Sequence, residues 1–211
     1  MSAEKTIRVL IATSNPSKVA ALLRLLEPYP VEPVQAETVG LGRFKIPETG
    51  GDYQEIAERK AVTFAKKSGL PSIASDGGVE IPVLQGRWDG LKSRRFAGPG
   101  DEDRIEKLLT MLRGVPPASR TVRFHEAVAL ALPDGTIVAS AQSAGPIGRL
   151  AEAADPRRRE GFWLPSLWLY PPRWVTEWDL TDKERTRLRT AWDGVADDLK
   201  PELTAFFSRP E

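Results

Sequence analysis

The chain has 211 residues, of which 41% are hydrophobic, and no apolar run is long enough to cross a bilayer. It has no cysteine, which excludes disulfides, thiol catalysis and zinc–thiolate sites, and its 30 Lys and Arg residues balance 29 Asp and Glu residues. We therefore expect a soluble globular protein without a nucleic-acid or membrane partner. The opening residues MSAEKT lack the apolar core of a secretory signal, so we expect a cytoplasmic location.

The first predicted elements are a strand, a polar loop and a helix. Residues 7–13, IRVLIAT, are apolar and rich in β-branched side chains, which is typical of a strand buried on both faces. Ser14 or Asn15 can cap a following helix, Pro16 suits its first turn, and Pro28 ends it.

This first loop is a candidate phosphate site. The beginning of a helix offers free backbone N–H groups and the positive end of the helix dipole, and Lys18 adds a positive charge there. The alternative is that Thr13, Ser14 and Asn15 only cap the helix, and that Lys18 is solvated.

Helices and strands alternate through the middle of the chain. Asp52 and Glu55 predict a capping box at the start of a second helix, which Gly69 ends. The segment PSIASDGG predicts a short strand followed by a glycine turn, and an amphipathic helix is predicted from about Asp101 to Arg113. This alternation is typical of an α/β protein.

The second half of the chain predicts a hairpin and a last helix. Two strand-like segments, TVRFHEAVALAL and TIVASAQSAG, flank the turn-forming residues PDG. The last helix is predicted over residues 182–199. We therefore predict a long mixed central β-sheet flanked by helices, in a single domain over residues 1–211.

Two acidic residues lie in predicted loops. Glu48 stands in IPETGG before the second helix, and Asp76 stands in ASDGG just after a strand. Because α/β sheets gather such loops at one edge, a divalent metal could bridge the two carboxylates. The alternative is that both residues are plain caps and turn formers.

The motifs ATSNPSK, ETGGDYQEIAERKA, ASDGGVEIPVLQG, SRRFAG and PRRREGF follow one another between Ile7 and Phe162. In this order they resemble the inosine triphosphate pyrophosphatase family. The resemblance implies two lobes around a central cleft, a homodimer, and magnesium-dependent cleavage of a nucleoside triphosphate to the monophosphate and pyrophosphate.

The resemblance also implies roles for individual residues. Glu48 and Asp76 match metal-binding positions, and Asp76 and Lys18 are the expected catalytic residues. The expected substrate-binding residues are Thr13, Ser14, Asn15, Lys18, Lys60, Ser93, Arg95, Phe162, Lys183 and Arg189.

This sequence departs from the family pattern at several positions, two of which bear directly on the expected site. Ser75 stands where the family has the first of two paired aspartates, and GFWLPSLW stands where it has the base-reading segment. We therefore expect retained phosphate chemistry with altered base recognition, in which Trp163 or Trp168 either stacks on a base or belongs to the core. Two other interpretations are a catalytically inactive nucleotide-binding protein of the same fold and a pyrophosphatase for a different nucleotide.

Overall fold

The computed structural model describes residues 6–46, 51–90, 96–157 and 163–208. The chain forms two compact units. The first unit contains residues 1–77, 126–143 and 192–211, and the second contains residues 78–125 and 144–191. In the described part of the chain, no helix is long and apolar enough to span a membrane.

Parallel strands build one side of the first unit. Strand β1 (Ile7–Ile11) pairs along its whole length with β2 (Val31–Gln35), and its end pairs with the start of β3 (Ser72–Glu80). The residues of β1 from Val9 to Ile11 are fully buried, which confirms the predicted two-sided burial of this strand.

The hairpin adds two further strands. β4 (Thr121–Ala131) and β5 (Ile137–Ala144) pair with each other, and Leu132 N donates to Thr136 O at 2.8 Å across the turn between them. Hydrogen bonds join the strands in the order β2-β1-β3-β4-β6-β7, with β5 on β4. β6 (Gly148–Leu150) is antiparallel to both β4 and β7 (Trp168–Leu169). The predicted mixed sheet is confirmed.

The two faces of the sheet in the first unit carry different helices. Helix α1 (Pro16–Leu26) packs with Ile11, Ile73 and Val128 on one face. Helix α2 (Tyr53–Ser68) packs on the other, where the strands present small side chains such as Ala74 and Ala127. Because side chains alternate along a strand, consecutive residues within β3, and likewise within β4, face different helices.

The second unit has its own core. Helix α3 (Asp101–Met111) packs Ile105 and Leu108 against Val122 and Leu150. The same core holds both tryptophans that the sequence proposes for base stacking, Trp163 and Trp168, each only 7% exposed.

Strand β3 is longer than predicted. The sequence places a turn at the two glycines after Asp76, but the strand continues through Gly77 and Gly78 to Glu80. Neither glycine has a positive φ, and the strand runs on to Val79, which is buried in the core of the second unit. The prediction that Asp76 lies on a loop is therefore wrong, because it lies inside β3.

The last predicted helix is two helices. α4 (Asp182–Arg187) has no buried residue and begins with a capping box between Thr181 and Glu184, whereas α5 (Ala191–Phe207) buries Val195 and Leu199 in the first unit. The backbone leaves the helical region at Leu188 (ψ 103°), just before the chain passes from the second unit to the first.

Candidate active site

The loop between β1 and α1 is ordered by its own polar side chains. Asn15 Oδ1 accepts a hydrogen bond from Ser17 N at 3.0 Å and caps α1, and Pro16 occupies the first turn as predicted. Asn15 N in turn donates to Thr13 Oγ1 at 3.2 Å. Ser14 is exposed. Asn15 therefore caps α1, as the alternative interpretation of this loop expects. The loop also leads directly into the first turn of α1, which contains Lys18.

Lys18 reaches from α1 to the hairpin. Its Nζ donates to Glu126 Oε1 at 3.1 Å, and 21% of its side chain is exposed. The alternative in which Lys18 is a solvated surface cation is therefore wrong. The ion pair holds the ammonium group at the beginning of α1, where the helix dipole is also positive.

Glu126 is a fully buried carboxylate. It lies in β4 with no exposed surface, and burial raises its pKa to about 7 although the ammonium of Lys18 opposes the shift. A hydrogen-bonding interaction with the Ser75 hydroxyl also lowers this pKa, and the negative charge of Asp76 raises it. Apart from this mutual interaction, Glu126 Oε2 and Ser75 Oγ have no hydrogen-bond partner among the described residues.

A second ion pair joins α2 to β3. Lys60 Nζ donates to Asp76 Oδ1 at 2.5 Å, and the two side chains are 15% and 8% exposed. Asp76 therefore keeps little contact with solvent and has a cation beside it. Such a partly buried charged pair is more strongly coupled than a pair on the protein surface.

The two ion pairs lie on opposite faces of the sheet. Asp76 follows Ala74 on the α2 face, whereas Ser75 follows Ile73 on the α1 face, which it shares with Glu126. The carboxylates of Asp76 and Glu126 thus lie on adjacent strands, but Asp76 and Lys18 lie on opposite faces of the sheet.

The other predicted site residues divide into two groups. Glu48, Ser93, Arg95 and Phe162 lie outside the described residues. Lys183, on α4, and Arg189, after it, are exposed residues of the second unit.

The sequence interpretation missed Glu126. The signal was present, because a single carboxylate in the middle of a strand precedes the wholly apolar run AVALAL. Burying a charged carboxylate in such a strand costs free energy of desolvation unless the group is paired. Such a residue therefore seldom serves only to fill the core. The partner, Lys18, is 108 positions away and could not be identified from spacing.

Asp76 has the chemistry of a ligand for a hard divalent cation, because its carboxylate offers the oxygen atoms that magnesium prefers. Glu126 lies on the opposite face of the sheet, where Lys18 and Ser75 contact its carboxylate. The described part of the chain has no cluster of three or more His, Cys, Asp or Glu residues suited to a metal. Glu48, the other metal-binding residue that the sequence predicts, lies outside the described residues.

The sequence model of the Ham1 family matches residues 9–189, which span both units. The chain belongs to the Ham1 family. A dITP/XTP pyrophosphatase of Anaeromyxobacter dehalogenans is 30% identical over 90% of this chain and 88% of its own length. The family predicted from the motifs is confirmed.

Two further comparisons describe the same Ham1 relationship. A dITP/XTP pyrophosphatase of Bradyrhizobium sp. strain BTAi1 is 40% identical, but the match spans only 62% of each chain. A HAM1 protein of Coxiella burnetii has a solved structure with a TM-score of 0.75 and 28% identity, over 95% of this chain and 100% of that one. The α/β fold is therefore that of known Ham1 structures.

Proposed function

We propose that this protein hydrolyses a nucleoside triphosphate to the monophosphate and pyrophosphate. The observation that carries the proposal is that two partly buried ion pairs, Lys18–Glu126 and Lys60–Asp76, join helices to the carboxylates of adjacent strands in a Ham1-family chain. Removing charged groups from water costs free energy, so ion pairs inside a protein are often retained for a function other than stability. Lysines and carboxylates are also the side chains that commonly act in phosphoryl transfer.

In this mechanism Lys18 and the beginning of α1 bind the phosphates. The N–H groups at the beginning of α1 and the ammonium of Lys18 bind phosphate oxygens, since both carry positive charge. Asp76 and Glu48 would hold a divalent cation, which would supply further charge neutralisation. Lys60 fixes the Asp76 carboxylate in position, and Asp76 accepts the proton of the water that attacks the α phosphate.

The proposed substrate class is a deaminated or otherwise modified purine nucleoside triphosphate. It follows the names of the relatives, which are dITP/XTP pyrophosphatases. The altered segment GFWLPSLW favours base recognition that differs from theirs, and the burial of Trp163 and Trp168 supports their core role rather than base stacking. We further propose magnesium as the cation, a homodimer and a cytoplasmic location.

The experiment that tests the proposal measures products. Purified protein is incubated with dITP, XTP, the standard triphosphates and modified pyrimidine triphosphates, with magnesium and with EDTA. We expect magnesium-dependent release of pyrophosphate from at least one modified nucleotide. A preference for dITP and XTP over all other bases would contradict the altered base recognition, but not the pyrophosphatase activity.

The same experiment distinguishes two other functions. Release of pyrophosphate only from a modified pyrimidine would assign the enzyme to a different nucleotide. Nucleotide binding without any hydrolysis would contradict the proposed enzyme and establish a catalytically inactive nucleotide-binding protein.

A further inference from the structure

The inference concerns the contact between Glu126 on β4 and Lys18 on α1. Glu126 Oε1 accepts a hydrogen bond from Lys18 Nζ at 3.1 Å. Glu126 has no exposed surface, whereas 21% of the lysine side chain is exposed. The ammonium group is therefore held by a group inside the protein, while part of the lysine side chain still faces solvent.

The ammonium of Lys18 can bind a second group without giving up this contact. An ammonium has three N–H donors and Glu126 Oε1 accepts from one of them, so two can donate to the oxygens of a bound phosphate. Lys18 stands in the first turn of α1, where the helix dipole and the free backbone N–H groups also favour an anion. Lys18 can therefore contact Glu126 and a phosphate at the same time.

Packing alone does not explain a carboxylate at position 126. The residues that follow it in β4, from Ala127 to Ala131, are all buried and apolar. A buried ion pair is often no more stabilising than apolar side chains of similar volume, so stability gives little reason for a charge in this strand. The role of Glu126 is therefore found in what it does to Lys18.

Ser75 on β3 restrains the Glu126 carboxylate. Its hydroxyl, on a residue that is 2% exposed, has a hydrogen-bonding interaction with Glu126, and Lys18 donates to the same carboxylate. A carboxylate that is contacted by two groups has little freedom to turn. The direction in which Glu126 holds the ammonium of Lys18 is therefore fixed.

We propose that Glu126 is a positioning residue, which holds the Lys18 ammonium in place for the phosphates of the triphosphate. This inference rests on the proposed function, because that function assigns the phosphate contact to Lys18. A lysine side chain has a flexible four-carbon stem and loses conformational freedom when it binds a ligand. Glu126 imposes that restriction before the substrate binds, so the phosphate meets an ammonium group that is already ordered.

The test measures the binding of inorganic tripolyphosphate to the full-length protein by isothermal titration calorimetry in EDTA. The variant Glu126→Leu removes the charge and the oxygen acceptor and keeps a side chain of comparable size. We expect its affinity to fall by about fivefold to tenfold, because Lys18 is no longer ordered. Removing a negative charge near an anion site would by itself raise the affinity, so a fall identifies positioning. Glu126→Gln keeps an oxygen acceptor and should lose less.

A double-mutant cycle separates this role from an effect on the fold. Lys18→Met removes the ammonium and keeps an unbranched side chain. When Glu126→Leu is added to Lys18→Met, we expect no further change in affinity, because Glu126 acts only through Lys18. The matched control is Glu32→Gln, which removes an exposed carboxylate of the same unit and should bind as the wild type does. Thermal unfolding establishes that each variant is folded before its affinity is compared.

Three results would overturn the inference. They are a folded Glu126→Leu variant that binds tripolyphosphate as tightly as the wild type or more tightly, an equal loss with and without the ammonium of Lys18, and a wild type that does not bind tripolyphosphate. The failure of the proposed function is distinct, because it is measured by the absence of pyrophosphate release. A wild type that binds tripolyphosphate through the Glu126-held lysine, and releases no pyrophosphate from any nucleotide, would contradict only the enzyme.

Discussion

At the scale of single residues, two carboxylates on neighbouring strands each pair with a lysine of a helix, and both pairs are partly buried. The sequence motifs identify Lys18, Lys60 and Asp76, because each stands in a short pattern with a chemical reason. They do not identify Glu126, whose importance comes from burial and from a partner far away in the chain. Spacing arguments find residues within one motif, whereas a buried pair between elements depends on tertiary packing.

Asp76→Asn tests the catalytic carboxylate. The change keeps the shape of the side chain but removes the oxygen anion that accepts a proton, so we expect pyrophosphate release to fall by about 100-fold or more. Thermal unfolding and circular dichroism should show an intact fold. Full activity in this variant would show that Asp76 has been assigned the wrong role, and Glu32→Gln serves as the control with unchanged turnover.

The pH dependence of stability tests the burial of Glu126. In the unfolded chain this carboxyl ionises near 4.5, whereas in the folded protein burial raises its pKa to about 7. Between these values the folded state binds more protons, so its stability is lost as the pH rises through this window. Glu126→Gln lacks this loss, and relative to it the wild type should lose on the order of 3 kcal/mol from pH 4 to pH 8, by the standard conversion of pKa shifts.

The measurement is urea unfolding of both proteins in EDTA at several pH values, so that no bound metal contributes. The charged groups beside Glu126 are Lys18 and Asp76, and both are unchanged in the variant. An equal difference in free energy of unfolding at pH 4 and pH 8 would mean that the pKa of Glu126 is not raised in the folded protein.

At the scale of elements, most helices and strands could be predicted, and the exceptions have tertiary causes. The caps of α1 and α2 and the hairpin between β4 and β5 rest on local residues, and the structure confirms them. The continuation of β3 past Asp76 depends on packing in the second unit, which a pair of glycines does not reveal. The break between α4 and α5 coincides with the passage between units.

The cap of α2 gives a prediction at this scale. Asp52 Oδ1 accepts a hydrogen bond from Glu55 N at 2.9 Å and satisfies a free donor at the beginning of the helix that carries Lys60. Asp52→Ala should lower the free energy of unfolding by about 1 kcal/mol, and Asp52→Asn, which retains an oxygen acceptor, by much less. Urea unfolding measures both. Equal losses would show that the cap contributes through charge and not through the hydrogen bond.

At the scale of the whole molecule, the nearly neutral net charge indicates that any anion site of this Ham1-family chain is local. The family model covers residues of both units, and the net charge is only +1. The proposed binding of a triphosphate would therefore depend on particular lysines and on helix α1, and not on a generally basic surface. The segment predicted to read the base belongs to the second unit, where its tryptophans are core residues, so the base preference could not be derived from the sequence.

The central claim is that water attacks the α phosphate and that pyrophosphate leaves as one group. The most direct measurement is hydrolysis in water labelled with heavy oxygen, with mass spectrometry of both products after a single turnover. We predict that the label appears in the nucleoside monophosphate and that pyrophosphate remains unlabelled. Label in pyrophosphate, or release of orthophosphate in its place, would contradict this account of the reaction.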